Sequence, residues 1–218
     1  MSYNIAIDGP AGAGKSTIAK LVAKNKGYIY VDTGAMYRAM ALFMLNEKVD
    51  LDRTDLIAEK SKDADISIRY EDGVQCVFLN GQNVDGLIRT EEVSAAASKS
   101  SVVQEVRAKL TSLQKKLAAE QDVVMDGRDI GTKVLPNADL KIFLTASVEV
   151  RAKRRYDELC AKGVDCDLKA IQDEIAERDH RDMTRAEAPL VQAEDAILVD
   201  SSDLTIEQVA DKILSYVK

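Results

Sequence analysis

The stretch Gly9-Pro10-Ala11-Gly12-Ala13-Gly14-Lys15-Ser16-Thr17 constrains this chain more than any other. Its spacing is G-x-x-x-x-G-K-[ST], and it lies between a short apolar strand, Asn4-Ile5-Ala6-Ile7 running into Asp8, and a segment with Ile18, Leu21 and Val22 on one helical face. Glycines admit backbone turns closed to other residues, so successive N–H groups can point inward at one phosphate. The positive end of the following helix adds to that attraction. In such a loop Lys15 reaches the β- and γ-phosphates of a nucleoside triphosphate, and Ser16 places its hydroxyl on Mg²⁺. The strand before and the helix after separate this pattern from a chance glycine-rich turn. It points to nucleotide binding and leaves the acceptor open.

The remaining pattern reads as α/β. Short apolar strands are expected at 4–7, 28–31, 123–126, 140–144 and 196–199. Helical patterns fall between and after them, at 15–25 with Gly27 as the stop, 35–45, about 90–120 with a break near Ser100, 148–161, 168–183 and 205–216. Strands alternating with helices predict a five-stranded parallel sheet flanked by helices. The middle differs: Ile66 to Tyr70 alternates, Glu71-Asp72-Gly73 supplies a turn, Val74 to Leu79 continues, and Asn80-Gly81 is a strong hairpin signal. A small antiparallel insert follows from that run. The chain of 218 residues therefore reads as a single domain, 1–218, with an inserted subdomain at about 62–98.

Charge and cysteines bound the partners. The net charge of −7 disfavours a nucleic-acid polymer, and no apolar run approaches the roughly 20 residues that a membrane span needs. The first residues carry neither a cationic start nor a long apolar stretch, so no signal peptide is expected and the cytoplasm follows. Cys76, Cys160 and Cys166 show no metal or redox spacing, and the lone histidine, His180, has no second histidine or cysteine to join it on a metal. Arginines nevertheless concentrate at Arg151, Arg154 and Arg155 and again at Arg178, Arg181 and Arg185. A solvated helix face paired with Glu and Asp explains such runs, and so does a small anionic ligand; charge alone does not decide.

Three clusters bear on the acceptor. Asp32-Thr33-Gly34-Ala35-Met36-Tyr37-Arg38 follows the second strand, where ligands of parallel sheets gather, and Arg38 reads equally as a phosphate clamp or a surface arginine. Asp126-Gly127-Arg128-Asp129 follows the third core strand, and a glycine beside an arginine and two acids is a poor way to build a core. In the third cluster, Arg178, Arg181, Asp182 and Arg185 share one helical face, which alone reads as a salt-bridge ladder.

Taken together these runs resemble the bacterial cytidylate kinases. The resemblance rests on Ile5 to Thr17, Asp32 to Arg38, Asp126-Gly127-Arg128-Asp129-Ile130-Gly131-Thr132 and Arg178 to Leu190, and covers nearly the whole chain in order, the antiparallel insert included. It implies phosphorylation of CMP, and of dCMP, by ATP with Mg²⁺ in pyrimidine nucleotide metabolism. The whole of Gly9 to Thr17 (Gly9, Pro10, Ala11, Gly12, Ala13, Gly14, Lys15, Ser16 and Thr17) is implied at ATP, with Ser16 on the metal. A lid at about 150–186 is implied as well, with Arg154 as its contact to the nucleotide. Ser98, Arg107, Asp129 and Arg185 are implied at the base, Asp182 and Arg178 at the ribose, Arg38 and Arg128 at the α-phosphate of CMP, and Thr33 and Tyr37 with them. The insert becomes the CMP-binding subdomain, and Lys15, Arg128, Asp129 and Arg178 become the catalytic set. Those residue types suit cytosine: hydroxyl and carboxylate accept from N4, while guanidinium groups donate to N3 and O2. Asp32, Asp126 and Asp129 all remain open as the carboxylate supporting Mg²⁺.

The nearest rival is a kinase of the same superfamily with AMP, UMP or shikimate as acceptor. A regulatory GTP-binding switch would carry Asn-Lys-x-Asp, which does not occur, and a bare binding module would have lost Lys15 or the arginines. The sequence leaves the oligomeric state open; a monomer is the expectation.

Overall fold

The computed structural model describes residues 2–71 and 73–218, so Met1 and Asp72 of the expected Glu71-Asp72-Gly73 turn lie outside the described residues. The chain divides into two compact units, one containing Ile29–Val123 and the other joining Tyr3–Tyr28 to Val124–Lys218. Its larger sheet has the five expected strands, β1 (Asn4–Asp8), β2 (Ile29–Asp32), β6 (Val123–Gly127), β7 (Leu140–Thr145) and β8 (Ile197–Asp200), in the order β2-β6-β1-β7-β8. A separate sheet carries β3 (Ile66–Glu71), β4 (Val74–Leu79) and β5 (Gln82–Asn83).

The unit built on Tyr3–Tyr28 and Val124–Lys218 holds the phosphate loop. β7 lies parallel to β1, with Ile5 opposite Leu140 and Asp8 opposite Phe143, and β8 lies parallel to β7. Ile5, Ile7, Val124, Met125, Ile142, Leu144 and Val199 are fully buried, as near-continuous apolar runs of a sheet covered on both faces should be. α1 (Lys15–Lys26) follows the glycine loop and ends at Gly27, whose left-handed φ of 71° closes the last turn. α6 (Val148–Ala161) and α7 (Leu168–Thr184) start at Ser147 and Asp167, whose side chains accept from Val150 N and Ala170 N. α8 (Ile206–Leu214) opens with a reciprocal capping box between Thr205 and Gln208.

In the unit containing Ile29–Val123, α2 (Thr33–Asn46) is capped by Asp32, and the expected long helix splits into α4 (Glu91–Ser100) and α5 (Gln104–Glu120). β4 pairs antiparallel with both neighbours, and the Asn80-Gly81 hairpin has φ of 49° and 80°, as a primed two-residue turn requires. Among the described residues, the unexpected elements are α3 (Thr54–Lys60), which buries only Ile57, the 3₁₀ turn Ser61–Asp63 after it, the two-residue strand β5 and, in the other unit, a π-helical turn at Ile130–Val134.

Gly9 shows how tightly the loop is seated. A Cβ added there would stand 1.9 Å from the Leu144 carbonyl oxygen, which is strand backbone and cannot give way. Gly9→Ala is expected to cost about 2 kcal/mol or more in urea unfolding, whereas Gly86→Ala, with open space around it, should stay within about 0.5 kcal/mol. Equal midpoints for the two variants would refute the close approach.

Candidate active site

Side chains at the carboxyl ends of β1, β6, β7 and β8 build one site within one unit. After β1, the Lys15 ammonium is buried and donates to the Pro10 carbonyl at 2.7 Å, folding back over its own loop. Burial pushes Lys15 down to about 7; Arg128 and Arg178 repel its charge further, and Asp126 and Asp8 only partly offset them. An ammonium in that position gains from any anion brought to it. Ser16 Oγ donates to the Asp126 carboxylate at 2.9 Å, so the hydroxyl at the start of α1 and the acid near the end of β6 face each other.

Beyond β6, Arg128 Nε donates to Asp182 of α7 at 2.8 Å. Arg185, just past α7, lies 3.8 Å from Asp129 and 3.9 Å from Asp182, and its Nε donates to the Ala188 carbonyl. Burial works against the charge of Asp182, but Arg128, Arg185 and Arg178 outweigh it and hold its carboxyl below the ordinary range. Arg178 has its own range lowered by burial and by Arg128, and its buried Nε has no hydrogen-bond partner. The structure thus brings Lys15, Arg128, Asp129, Arg178, Asp182 and Arg185 into one electrostatic neighbourhood. Arg181 lies at its margin: it adds the smallest repulsion on Arg178, while its side chain runs along the exposed side of α7 toward Glu177, and Asp179 takes the buried position next to Arg178. The expected four-residue face is corrected accordingly. His180 is exposed, and among the described residues no three or more His, Cys, Asp or Glu side chains gather as a metal-holding group.

A pocket of roughly 570 Å³ opens beside the phosphate loop, walled by Gly12 to Ile18, by Arg151, Arg154 and Arg155 of α6, and by Ser201 to Val209 around the start of α8. Arg154 stands on its wall and donates to the Ser201 carbonyl at 2.6 Å. Arg151, for which the sequence left a solvated face and a small anionic ligand both open, is buried, and its guanidinium makes three bonds: to Ala146 O and Ala11 O at 2.9 Å each, and to Asp179 at 2.6 Å. Its stem also packs against Gly12, where a Cβ would meet Arg151 Cβ at 3.4 Å. One side chain therefore ties the phosphate loop, the end of β7 and α7 together.

In the unit containing Ile29–Val123, Asp32 organises a second basic cluster. Its carboxylate accepts from Ala35 N at 2.9 Å and from Arg38 at 3.0 Å, with Arg89 at 3.5 Å. Gln75 of β4 clamps the Asp32 backbone through both ends of its amide. Thr33 is buried at the first turn of α2; Arg107 of α5 is buried, lies 5.5 Å from the Tyr37 ring centre and donates to Ser101 O; Ser98 is half-buried on α4. Arg89, Arg151, Asp179 and Asp8 escaped the sequence reading. Asp8 stands at the edge of the glycine motif and Arg89 outside any motif, and only the partners the fold gives them reveal a role.

A parallel sheet with a glycine loop after its first strand, a buried lysine and a serine at the end of that loop, and arginines massed beside them define a P-loop kinase. Residues 5–218 match the family described as Cytidylate kinase. Cytidylate kinases of Caldicellulosiruptor bescii and Bacillus subtilis are 56% and 51% identical to the chain, covering 97% and 99% of it and 93% and 96% of their own lengths. The chain belongs to the cytidylate kinase family. Among solved structures, an uncharacterised protein from Eubacterium ventriosum superposes with a TM-score of 0.55 at 15% identity, covering 99% of this chain and 98% of its own. A shikimate kinase from Bacteroides thetaiotaomicron reaches 0.50 at 15% identity, with 98% and 97% coverage, and shares the fold alone. No helix among the described residues is long and apolar enough to cross a membrane.

The Arg151–Asp179 pair carries a stability prediction. With side-chain exposures of 4% and 10%, removing either partner strands a buried charge. Arg151→Leu and Asp179→Leu are each expected to cost about 3 kcal/mol or more, and the double variant distinctly less than their sum. Additive losses in denaturant unfolding would show that the pair is not energetically coupled.

Proposed function

We propose that the chain transfers the γ-phosphoryl group of ATP to CMP, and to dCMP, acting as a cytoplasmic monomer in pyrimidine nucleotide metabolism. The observation that carries this reading is the pairing of two anion-ready centres at neighbouring strand ends. Lys15 and Ser16 follow β1, while Arg128 and Asp129 follow β6, with Ser16 bonded to Asp126 between them. Membership of the cytidylate kinase family supports the choice of acceptor.

The residues present suit a magnesium ion. Ser16 Oγ and the Asp126 carboxylate are hard oxygen groups 2.9 Å apart, the kind of donors this cation accepts while keeping most of its water. We assign Ser16 as a ligand and Asp126 as the acid that acts through water, since Asp32 is occupied capping α2 and pairing with arginines and Asp129 is turned toward Arg185. When bound, the ion screens charge on the β- and γ-phosphates.

The acceptor oxygen of CMP is anionic near neutral pH, so the reaction needs no strong base; its obstacle is repulsion between two anions. Lys15 would leave the Pro10 carbonyl and turn to the transferring phosphate. Arg128 and Arg178 flank the same position, and Asp182 fixes Arg128 in place before substrate arrives. Asp129 accepts from the cytosine N4 amine, and Arg185 donates to the ring acceptors. Arg38, Arg107, Ser98, Thr33 and Tyr37 are assigned to the same nucleotide, with 62–98 as the acceptor subdomain. The segment 150–186 acts as a lid that excludes water around ATP, with Arg154 on the triphosphate side.

The reading is tested by following ADP production from ATP and Mg²⁺ with CMP, dCMP, UMP, AMP and GMP in parallel. CMP and dCMP should be preferred; preference for another acceptor would leave only an unspecified kinase of the class. Lys15→Ala is expected to lower turnover by about a hundredfold or more without loss of fold, and near-normal turnover would remove its assigned role. Uracil presents a carbonyl where cytosine has an amine, so Asp129→Ala should cost about 1–3 kcal/mol with CMP and less with UMP. Equal losses for both acceptors would take Asp129 out of base selection.

A further inference from the structure

Asp8 is the last residue of β1 and stands immediately before the phosphate loop, yet it reaches the other way. One carboxylate oxygen accepts from Ile130 N at 2.8 Å and the other from Gly131 N at 2.7 Å. These are the first two amides of the π-helical turn Ile130–Val134, which begins directly after Asp129. The Asp129 carbonyl is held from the far side, accepting from Lys133 N at 2.8 Å and Val134 N at 3.2 Å. Asp129 is therefore fixed between two clamps, one in its own turn and one supplied by β1.

The fit is close. A Cβ at Gly131 would stand 3.2 Å from Lys141 Cδ and 3.4 Å from the Asp8 oxygen, so a side chain there would crowd Lys141 and touch the Asp8 carboxylate. Asp8 is 5% exposed. Burial raises its carboxyl to about 6 and Asp129 adds to the rise, while the two amides and Lys15 oppose it. A charged group held against its own desolvation is a poor device for stability alone. What a short carboxylate offers, and a hydroxyl does not, is two acceptors on one rigid plane. They fix the rotation of the turn as well as its position.

We propose that Asp8 is a positioning residue for the acceptor nucleotide, holding Arg128 and Asp129 in register with the phosphate loop through the amides of Ile130 and Gly131. The inference rests on the acceptor site assigned above. It adds that the strand carrying the ATP loop also sets the geometry that reads CMP. In this role Asp8 acts through the turn; its separate electrostatic pull on Lys15 stays in place in a variant that keeps the carboxylate.

The test compares wild-type protein with Asp8→Asn, which keeps the shape but loses one acceptor, and with Gly131→Ala, which crowds the same contact and leaves the charge. In steady-state assays both variants should raise KM for CMP by about tenfold, the effect of one lost hydrogen bond, and lower the CMP-to-UMP preference. KM for ATP should change less than about twofold. Thermal midpoints, measured alongside, separate folding from positioning. A lowered midpoint with unchanged KM for CMP in the folded protein, or equal increases in KM for CMP and ATP, would overturn the proposal. Wild-type protein that does not phosphorylate CMP would instead overturn the reading on which it rests.

Discussion

Like charges crowded where water is scarce are the constraint behind this structure. Burial, and after it the mutual repulsion of Lys15, Arg128 and Arg178, brings the lysine down to about 7 and lowers the Arg178 range. Such a cluster is unfavourable to folding and favourable to anything that carries phosphate. The surrounding carboxylates make it tolerable without cancelling it. Asp182 takes Arg128, Asp126 faces Ser16, Asp179 takes Arg151, and each acid is buried at a distance that supports one cation or hydroxyl. Had these acids paired directly with Lys15, the site would be neutral and would have little left to offer a nucleotide.

The same constraint explains why so many supports run through backbone. Lys15 rests on Pro10 O, Arg151 on Ala11 O and Ala146 O, Arg154 on Ser201 O, and Arg185 on Ala188 O. A carbonyl holds a cation in place yet is a weaker competitor than a carboxylate, so a phosphate can displace it at modest cost. Arg151 is the exception, a structural strut: it is buried, and one of its three bonds goes to the buried Asp179 carboxylate. Arg154, three residues on, lines the open pocket. One helical turn separates a fixed strut from a residue on the pocket wall.

Much of this was legible in the chain itself. Five apolar runs became the five strands, because a sheet buried on both faces leaves little choice of residue. The glycine spacing announced the phosphate loop, and Asn80-Gly81 announced its hairpin, since both depend on backbone angles that few residues adopt. What stayed hidden has no periodic signature. α3 shows a single buried side chain, Ile57, and β5 is two exposed residues. The π-helical turn is a hydrogen-bond pattern without a residue pattern, and Asp8 looked like a strand end until its partners were known. Arg151 was hidden for the opposite reason: its motif, a run of arginines, is ordinary on solvated helices, and only the loop it packs against turns it inward.

The overall charge of −7 and the basic site belong to one design rather than two. A chain that gathered arginines around a phosphate pocket on a neutral or basic surface would also attract long polyanions. An acidic exterior repels those at a distance, where the field of the whole molecule dominates. Screening confines that repulsion to about a nanometre at physiological salt, so a mononucleotide that reaches the pocket meets the local cations instead. Lysines paired with acids four residues away on α6 and α7, such as Lys162 with Glu158 and Lys169 with Asp173, keep the outer faces of those helices near balance. The net acidity of the chain and the local basicity of the pocket therefore coexist because the cations are gathered at one place.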